Sequence, residues 1–587
     1  MSEKINSTFN DFEFITHAES SNFETTPNYD ETLEFIKKLA LRSKYAKIVN
    51  FGTSHAGRSL YAIILSSSEE FGPKKNYKNR KLKVFIQAGI HPGEIEGKDA
   101  LQIILREILI TKELEYLLDR LTLVIVPVFN PDGHERRGEF NRPNQIGPHL
   151  TGWRTNALNK NLNRDYLKAD TAEMKSFLRL FNEWLPDFYI DSHTTNGMDY
   201  RYHVSYFVEK HQNIDRKLAG WGKEVFVPSL IKSVEERGFL ISPYPEYVDD
   251  DDITKGITNW GYEPRYSTGY AAIQNRLGLL IEAHSLKTYK ERVLATKEVI
   301  ISSLEILAEN AQEVRFLNYA ADKFTVKKYF EEKKRLPVLL EGDEEKLDEI
   351  IFKGYKIIEK ESLPFGKTIL EFDKSEEVDY IIPFYNYMKV DKLVQAPGAY
   401  IIPLELKKLI KLLKLHGIKY FRNHRDIKAK VEKYKFEYLE FSPRSLEGRQ
   451  RCTFDYLPFE EEVEISEGAF IVPVNQRTLK VILNLFEPAA PDSLVRWGFF
   501  NAFFERKEYA ESFIFNNIAE EMLENDPQLK EEFELLLAED EEFKDDPVAR
   551  FDFFYTRSKY MDKNELVYPI MRLHNPEIYF DYFRRRK

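Results

Sequence analysis

The chain has 587 residues, 85 of them Lys or Arg and 96 Asp or Glu, for a formal net charge of −11. At about 150 residues per domain this length predicts two to four domains, and 43% hydrophobic residues suffice to give each a core, which excludes wholesale disorder. The acidic balance excludes a nucleic-acid binder, which needs a basic footprint, and the single cysteine, Cys452, excludes a disulfide framework or a thiolate metal cluster.

The first 25 residues hold no apolar core of a signal peptide, which predicts a cytoplasmic protein, or a secreted or periplasmic one whose leader has been removed. Leu33, Ile36, Leu39 and Leu41, spaced among charges, predict a helix over Tyr29–Ser43. Ile48–Ile64 reads as a hairpin turning at Thr53–Arg58, where Gly52, Ser54 and Gly57 supply turn chemistry. An alternating strand, Leu82–Ala88, runs straight into Gly89-Ile90-His91-Pro92-Gly93-Glu94, and Lys98–Ile110 is helical. Leu121–Phe129 is nearly all apolar, as a strand buried on both faces should be, and Asn130-Pro131-Asp132-Gly133 ends it. It is among the longest apolar runs, well short of the roughly 18–20 residues a membrane helix needs. Asp170 reads as the N-cap of a helix over Thr171–Trp184, with Glu173 completing a capping box. A short strand, Phe188–Ile190, leads to His193, another covers Leu279–Glu282, and one long helix follows from about Lys290 to Ala321.

Strands alternating with helices predict an α/β fold with a mostly parallel or mixed sheet flanked by helices, occupying residues 1–325. Residues 326–490 alternate like β structure, with one helix at Leu404–Leu415 stopped by Gly417, and 491–587 turn helical and acidic. Thirteen acids against two lysines in Glu520–Asp546 read as a solvated helical face, and the aromatic run from Trp497 to Phe504 as a core or interdomain contact.

Chemistry concentrates at His91-x-x-Glu94, an imidazole and a carboxylate in one tight turn, both able to reach one Zn²⁺. The pattern alone is weak, because twelve histidines give roughly one such match by chance. His574-x-x-Glu577 is such a match: it follows no clear buried strand. His91 and Glu94 instead lie directly after a strand, where open α/β sheets place their ligands. His193, also at a strand end, supplies the third ligand, and a His₂Glu set leaves a fourth position open, the catalytic pattern.

Gly57-Arg58, His91-Pro92-Gly93-Glu94, Asn130-Pro131-Asp132-Gly133, Asn161-Leu162-Asn163-Arg164 and His193 occur in the order found in zinc metallocarboxypeptidases of the carboxypeptidase A superfamily. The resemblance covers roughly residues 29–320 and leaves the C-terminal part uncharacterised, as in long bacterial members of that family. It implies one zinc ion per chain on His91, Glu94 and His193, and an oxyanion-stabilising Arg154. It also implies Asn163 and Arg164 on the substrate's C-terminal carboxylate, Arg58 lining the next subsite, and a late glutamate, Glu282, as general base. A tyrosine closing the site could be Tyr262, Tyr266 or Tyr270. The acidic run Asp249–Asp252 would favour basic C-terminal residues if it faced the pocket.

The function so implied is zinc-dependent hydrolysis of a C-terminal peptide or amide bond, by water that Glu282 activates, in a peptide-like substrate with a free carboxylate. Two alternatives stand beside it: an amidase acting on cell-wall peptides or amino-acid conjugates, and a non-catalytic protein gripping carboxylate-ended ligands on the same fold. No nucleic-acid partner and no membrane span are expected, and the oligomeric state is open.

Overall fold

The structure, a computed structural model, describes residues 14–73 and 80–575. Its centre is an eight-stranded mixed sheet in the order β1-β2-β4-β3-β5-β10-β6-β7. The strands are β1 (Ala46–Thr53), β2 (Ser59–Leu65), β3 (Leu82–Ala88), β4 (Leu121–Val126), β5 (Phe188–Thr195), β6 (Val204–Val208), β7 (Ile241–Pro243) and β10 (Leu277–His284). The short β8 (Glu246–Tyr247) and β9 (Ile257–Thr258) lie outside this sheet. β4, β3, β5 and β10 run parallel, and β1, β2 and β6 join antiparallel. The α/β reading with helices on both faces therefore holds.

Alternation along the central strands divides the core. Phe85 of β3 and Tyr189 of β5 face Phe177 and Phe181 of the helix Ala172–Trp184. Val84, Ile86, Phe188 and Ile190 point the other way, into the helices Glu96–Leu109 and Tyr289–Glu309. All six residues of β4 are buried, as a strand covered on both faces requires. Because β3 connects outward to β4 while β5 leads toward β10, strand order reverses between β3 and β5. That is the crevice in which an open α/β sheet binds its ligands.

Some local expectations are corrected. The helix at 172 is capped by Thr171, whose hydroxyl accepts from Met174 N–H, because the Asp170 carboxylate is taken by Arg449 at 2.6 Å. The long helix after β10 is two helices, Tyr289–Glu309 and Ala311–Val326, parted at Asn310. The expected helix over Leu404–Leu415 is regular only from Leu409, and Gly417 follows it at φ +68°.

The second half of the chain is mainly β and then helical. β11 (Leu336–Gly342) pairs with β14 (Met388–Val394), and β12 (Asp348–Ser362) with β13 (Lys367–Tyr385). β13 also pairs with β9, tying this half to the loop between β7 and β10. A six-stranded sheet follows, in the order β16-β19-β15-β20-β17-β18, from β15 (Ala399–Ile402), β16 (Phe421–Arg422), β17 (Ile427–Phe441), β18 (Cys452–Ile465), β19 (Phe470–Pro473) and β20 (Met571–Leu573). The helix Leu479–Phe486 and the buried rings of Phe500 and Phe504 join the core cluster that holds Phe177, so most of the aromatic run is core, with Phe503 left exposed. Four helices between Ser512 and Arg557 carry the acidic face. Among the described residues no helix is long and apolar enough to cross a membrane.

Candidate active site

β3 ends at Ala88, and its hydrogen bonding continues through Gly89, whose carbonyl accepts from Asn130 N–H. Gly89 sits at φ +67°, a left-handed conformation that costs glycine little, and this turns the chain off the sheet toward His91. Glu94 N–H returns to the His91 carbonyl at 2.9 Å, closing the tight turn. The following helix lies so close to β5 that a Cβ on Gly97 would meet Ser192 Oγ at 2.4 Å. The His91–Glu94 turn is thereby pressed against the end of β5, where His193 stands.

The three side chains meet. His91 Nδ1 lies 3.2 Å from Glu94 Oε2, His193 Nδ1 lies 3.0 Å from the same oxygen, and the two Nδ1 atoms are 3.3 Å apart. Hydrogen bonds behind the rings fix what those atoms are. Asn161 Oδ1 accepts Asn163 N–H at 3.0 Å, so it also accepts, and does not donate, at His91 Nε2, 3.0 Å away. His193 Nε2 donates to the Asp191 carboxylate at 2.9 Å. In neutral rings both Nδ1 atoms then carry lone pairs, aimed at each other and at a carboxylate, with all three residues buried. Such a set requires a cation.

Zinc fits it. A tetrahedron with bonds of about 2.0–2.1 Å has edges of about 3.3–3.4 Å, close to the observed separations. Electrostatics agree. Burial brings His91 down to about 4, against the pull of Glu94. Burial also disfavours the Glu94 anion, but His91 and Arg142 hold the carboxyl well below its usual range. At His193 burial is outweighed by Asp191, Glu94 and Glu282, which hold the ring well above the usual histidine range. Positive charge belongs here, supplied by a proton or by the metal ion that replaces it.

The surroundings orient the triad. Asp191 is held by Gln87 Nε2 at 3.0 Å, its register partner on β3, and Gln87 in turn bonds Tyr166 Oη at 3.0 Å. The outer oxygen of Glu94, Oε1, receives Arg154 Nη1 at 3.0 Å and Arg142 Nη1 at 3.2 Å.

A pocket of about 180 Å³ opens over the triad, lined also by Arg154, Asn163, Arg164 and Glu282. Glu282 is the register partner of His193 on β10, so both side chains face the same side of the sheet. Among the described residues its carboxylate has no hydrogen bond or ion pair. Burial, with Glu94 adding and His193 and Arg154 opposing, pushes it up to about 8. Among the described residues Arg164 also lacks an acidic partner: it lies over the Tyr266 ring at 4.3 Å and donates to the Asn163 carbonyl at 2.8 Å. Its neighbour Asp165 pairs with Lys168 instead. Asn163 Oδ1 accepts from Ser267 N–H at 3.3 Å.

Of the residues singled out in the sequence, Arg58 is not brought to the pocket. Its guanidinium pairs with Asp132 at 3.0 Å, in the turn that ends β4. Tyr262 and Tyr266 line the pocket, while Tyr270 is buried against His416, which removes it as a closing residue. Tyr262 Oη donates to Glu246 Oε1 at 2.9 Å, so the acid facing the pocket is Glu246 and not the Asp249–Asp252 run. His574 pairs with Glu432 at 3.3 Å, and Glu577 lies outside the described residues. Sequence reasoning missed Gln87, Arg142, Asp191 and Glu246, and gave Asn161 no role although it opens a motif singled out there. Of the four, Asp191 carried a signal, because it stands two residues before His193 on one face of a strand.

Residues 32–206 match the zinc carboxypeptidase family. Over 490 residues, 80% of this chain and 84% of the relative, the sequence is 22% identical to carboxypeptidase 2 of Trichophyton rubrum. Among solved structures, a metallo-carboxypeptidase from Burkholderia cenocepacia superposes with TM-score 0.36 at 18% identity, over 48% of this chain and 70% of that one. The carboxypeptidase A of Helicoverpa armigera does so with TM-score 0.36 at 15% identity, over 49% and 75%.

Proposed function

We propose that this chain, a zinc metallocarboxypeptidase of the carboxypeptidase A superfamily, removes residues from the C-terminus of peptides in the pocket above His91, Glu94 and His193. The observation that carries the reading is the pairing of a cation-demanding triad with an unpartnered Glu282 in register beside it. Zinc in such a triad polarises a carbonyl and acidifies water.

The chain's own residues do the rest. Arg164, which pairs with no acid among the described residues, takes the substrate's terminal carboxylate through a two-pronged guanidinium contact, and Asn163 adds an amide donor. That anchors the scissile carbonyl over the triad. With a cation in the triad favouring its ionised form, Glu282 takes a proton from the attacking water onto its carboxylate and delivers it to the departing amine. Arg154 reaches the same pocket and offers N–H donors where negative charge develops on the carbonyl oxygen, a contribution worth about 2.7–4 kcal/mol for a single donor. Tyr262 and Tyr266 cover the bound residue, and Glu246 gives the pocket wall an acidic edge.

The test is mass spectrometry of a mixed peptide pool incubated with zinc-loaded protein and, in parallel, its Glu282→Gln variant. Peptides shortened stepwise from the C-terminus by the unmodified protein alone support the reading. An untouched pool speaks against peptide trimming, and equal trimming by both proteins speaks against Glu282 as the base.

A further inference from the structure

A second cavity, of about 630 Å³, lies where the two halves of the chain meet. Its wall carries Lys210, Arg216, Lys223, Lys328 and Lys480 against one acid, Asp215, a strong local excess of positive charge in a chain of net charge −11. Two of these lysines are held inside. Lys480, on the helix Leu479–Phe486, is 3% exposed, and among the described residues its Nζ donates only to the backbone carbonyl of Asn213, at 3.0 Å. Lys210, just beyond β6, meets the amide oxygens of Asn259, at 3.2 Å, and Asn386. Among the described residues neither makes an ion pair.

The nearby acids are committed elsewhere. The Glu209 carboxylate receives the N–H groups of Lys210 and His211, each at 3.0 Å, and the Asn213 amide at 2.8 Å. Asp215 caps the helix Arg216–Trp221 through Lys217 and Leu218 N–H. His211 also lines the cavity, and among the described residues its Nε2 is buried with no hydrogen-bond partner. Burying an ammonium beside neutral oxygens alone is costly, and replacing such a group by an apolar one commonly costs nothing. Burial pushes both lysines down to about 8, so each still carries its charge at neutral pH.

We propose that this cavity is a second, non-catalytic binding site for a small anion bearing a phosphate or carboxylate group, gripped by Lys210 from the sheet half and Lys480 from the C-terminal half. Hard oxyanions match the ammonium donors, and the volume accommodates a metabolite-sized molecule. Because one lysine comes from each half, the occupant ties the halves together and stabilises the folded chain by mass action.

The experiment is thermal unfolding of the zinc-loaded full-length protein with inorganic phosphate or acetate as probe, at ionic strength held constant with chloride. The site predicts a rise in Tm of at least ~2 °C near saturation. A response to phosphate alone assigns a phosphate-bearing ligand, and a response to acetate a carboxylate. Lys480→Met and Lys210→Met should each weaken the response at least tenfold. Arg164→Ala, which removes the free guanidinium of the other pocket, should keep it. Should Lys480→Met fail to fold, Lys210→Met decides, with broadening of the phosphate ³¹P resonance as a readout independent of stability. No rise with either anion, a rise unchanged in the lysine variants, or one lost only in Arg164→Ala would overturn the proposal.

Discussion

The triad at the ends of β3 and β5 gathers three electron-pair donors within 3.3 Å of one another, while the cavity at the joint gathers Lys210 and Lys480 among neutral oxygens. The two clusters are unbalanced in opposite senses. A third buried cluster brings both signs together: Glu487 lies 3.2 Å from Arg572 Nε and accepts from the hydroxyls of Tyr434 and Tyr400, while Arg572 also pairs with Glu432. Burial makes charge imbalance expensive, so its sign points to what each of the first two clusters would take up: a cation in the first and an anion in the second.

This contrast can be broken at several points. The largest effect belongs to Glu282→Gln, which should lower kcat about 10²–10⁴-fold in steady-state peptide hydrolysis while zinc content by elemental analysis stays unchanged. A loss of zinc with the activity would instead place Glu282 among the ligands.

Arg164→Ala should raise KM for peptides with a free carboxylate and leave C-terminally amidated peptides unaffected. The lost charge-assisted contact corresponds to about 1.5–3 kcal/mol, roughly 10- to 150-fold in kcat/KM. An equal loss for both substrates would mean that Arg164 only shapes the pocket.

Asp191→Asn keeps an acceptor for His193 Nε2 but removes the charge behind the ring. Zinc affinity by competition with a chromogenic chelator should fall about 10–100-fold.

The smallest effect tests the other cluster. The folded pKa of Lys480 lies near 8, below its ordinary 10.5, chiefly through burial and also Lys328, with Asp215, Asp322 and Glu209 opposing. A depressed folded pKa means that stability is fully present above pH 10.5 and is lost as pH falls toward 8. At pH 7 Lys480→Met should therefore be more stable than the parent in denaturant titration, by about 1 kcal/mol. The gap should close between pH 8 and 10.5. A variant less stable at pH 7 would show that the ammonium is already satisfied.

The site was legible where sequence and sheet geometry speak together. His91, Glu94, His193 and Glu282 each stand at or just beyond the end of a strand visible from its apolar pattern, and parallel pairing brings them side by side. Gln87 and Arg142 were not legible, because a glutamine inside a strand and an arginine in a loop reveal their partners only in three dimensions. Arg58 lies outside the pocket lining, because Asp132, 74 residues away, claims its guanidinium. Asp170 lost its cap role to Arg449, 279 residues on. The two-residue strands β8 and β9, which bind the loop before β10 to the second half, are too short to show periodicity. The cavity at the joint was invisible for the same reason: Lys210 and Lys480 are unremarkable until folding brings them together.

The most direct measurement is anomalous diffraction at the zinc absorption edge from crystals of zinc-loaded protein. The account predicts one peak in the triad, about 2.0–2.2 Å from His91 Nδ1, Glu94 Oε2 and His193 Nδ1, with both Nε2 atoms still on Asn161 and Asp191. A peak bound through either Nε2, or a triad without zinc while the metal sits elsewhere in the chain, would contradict it.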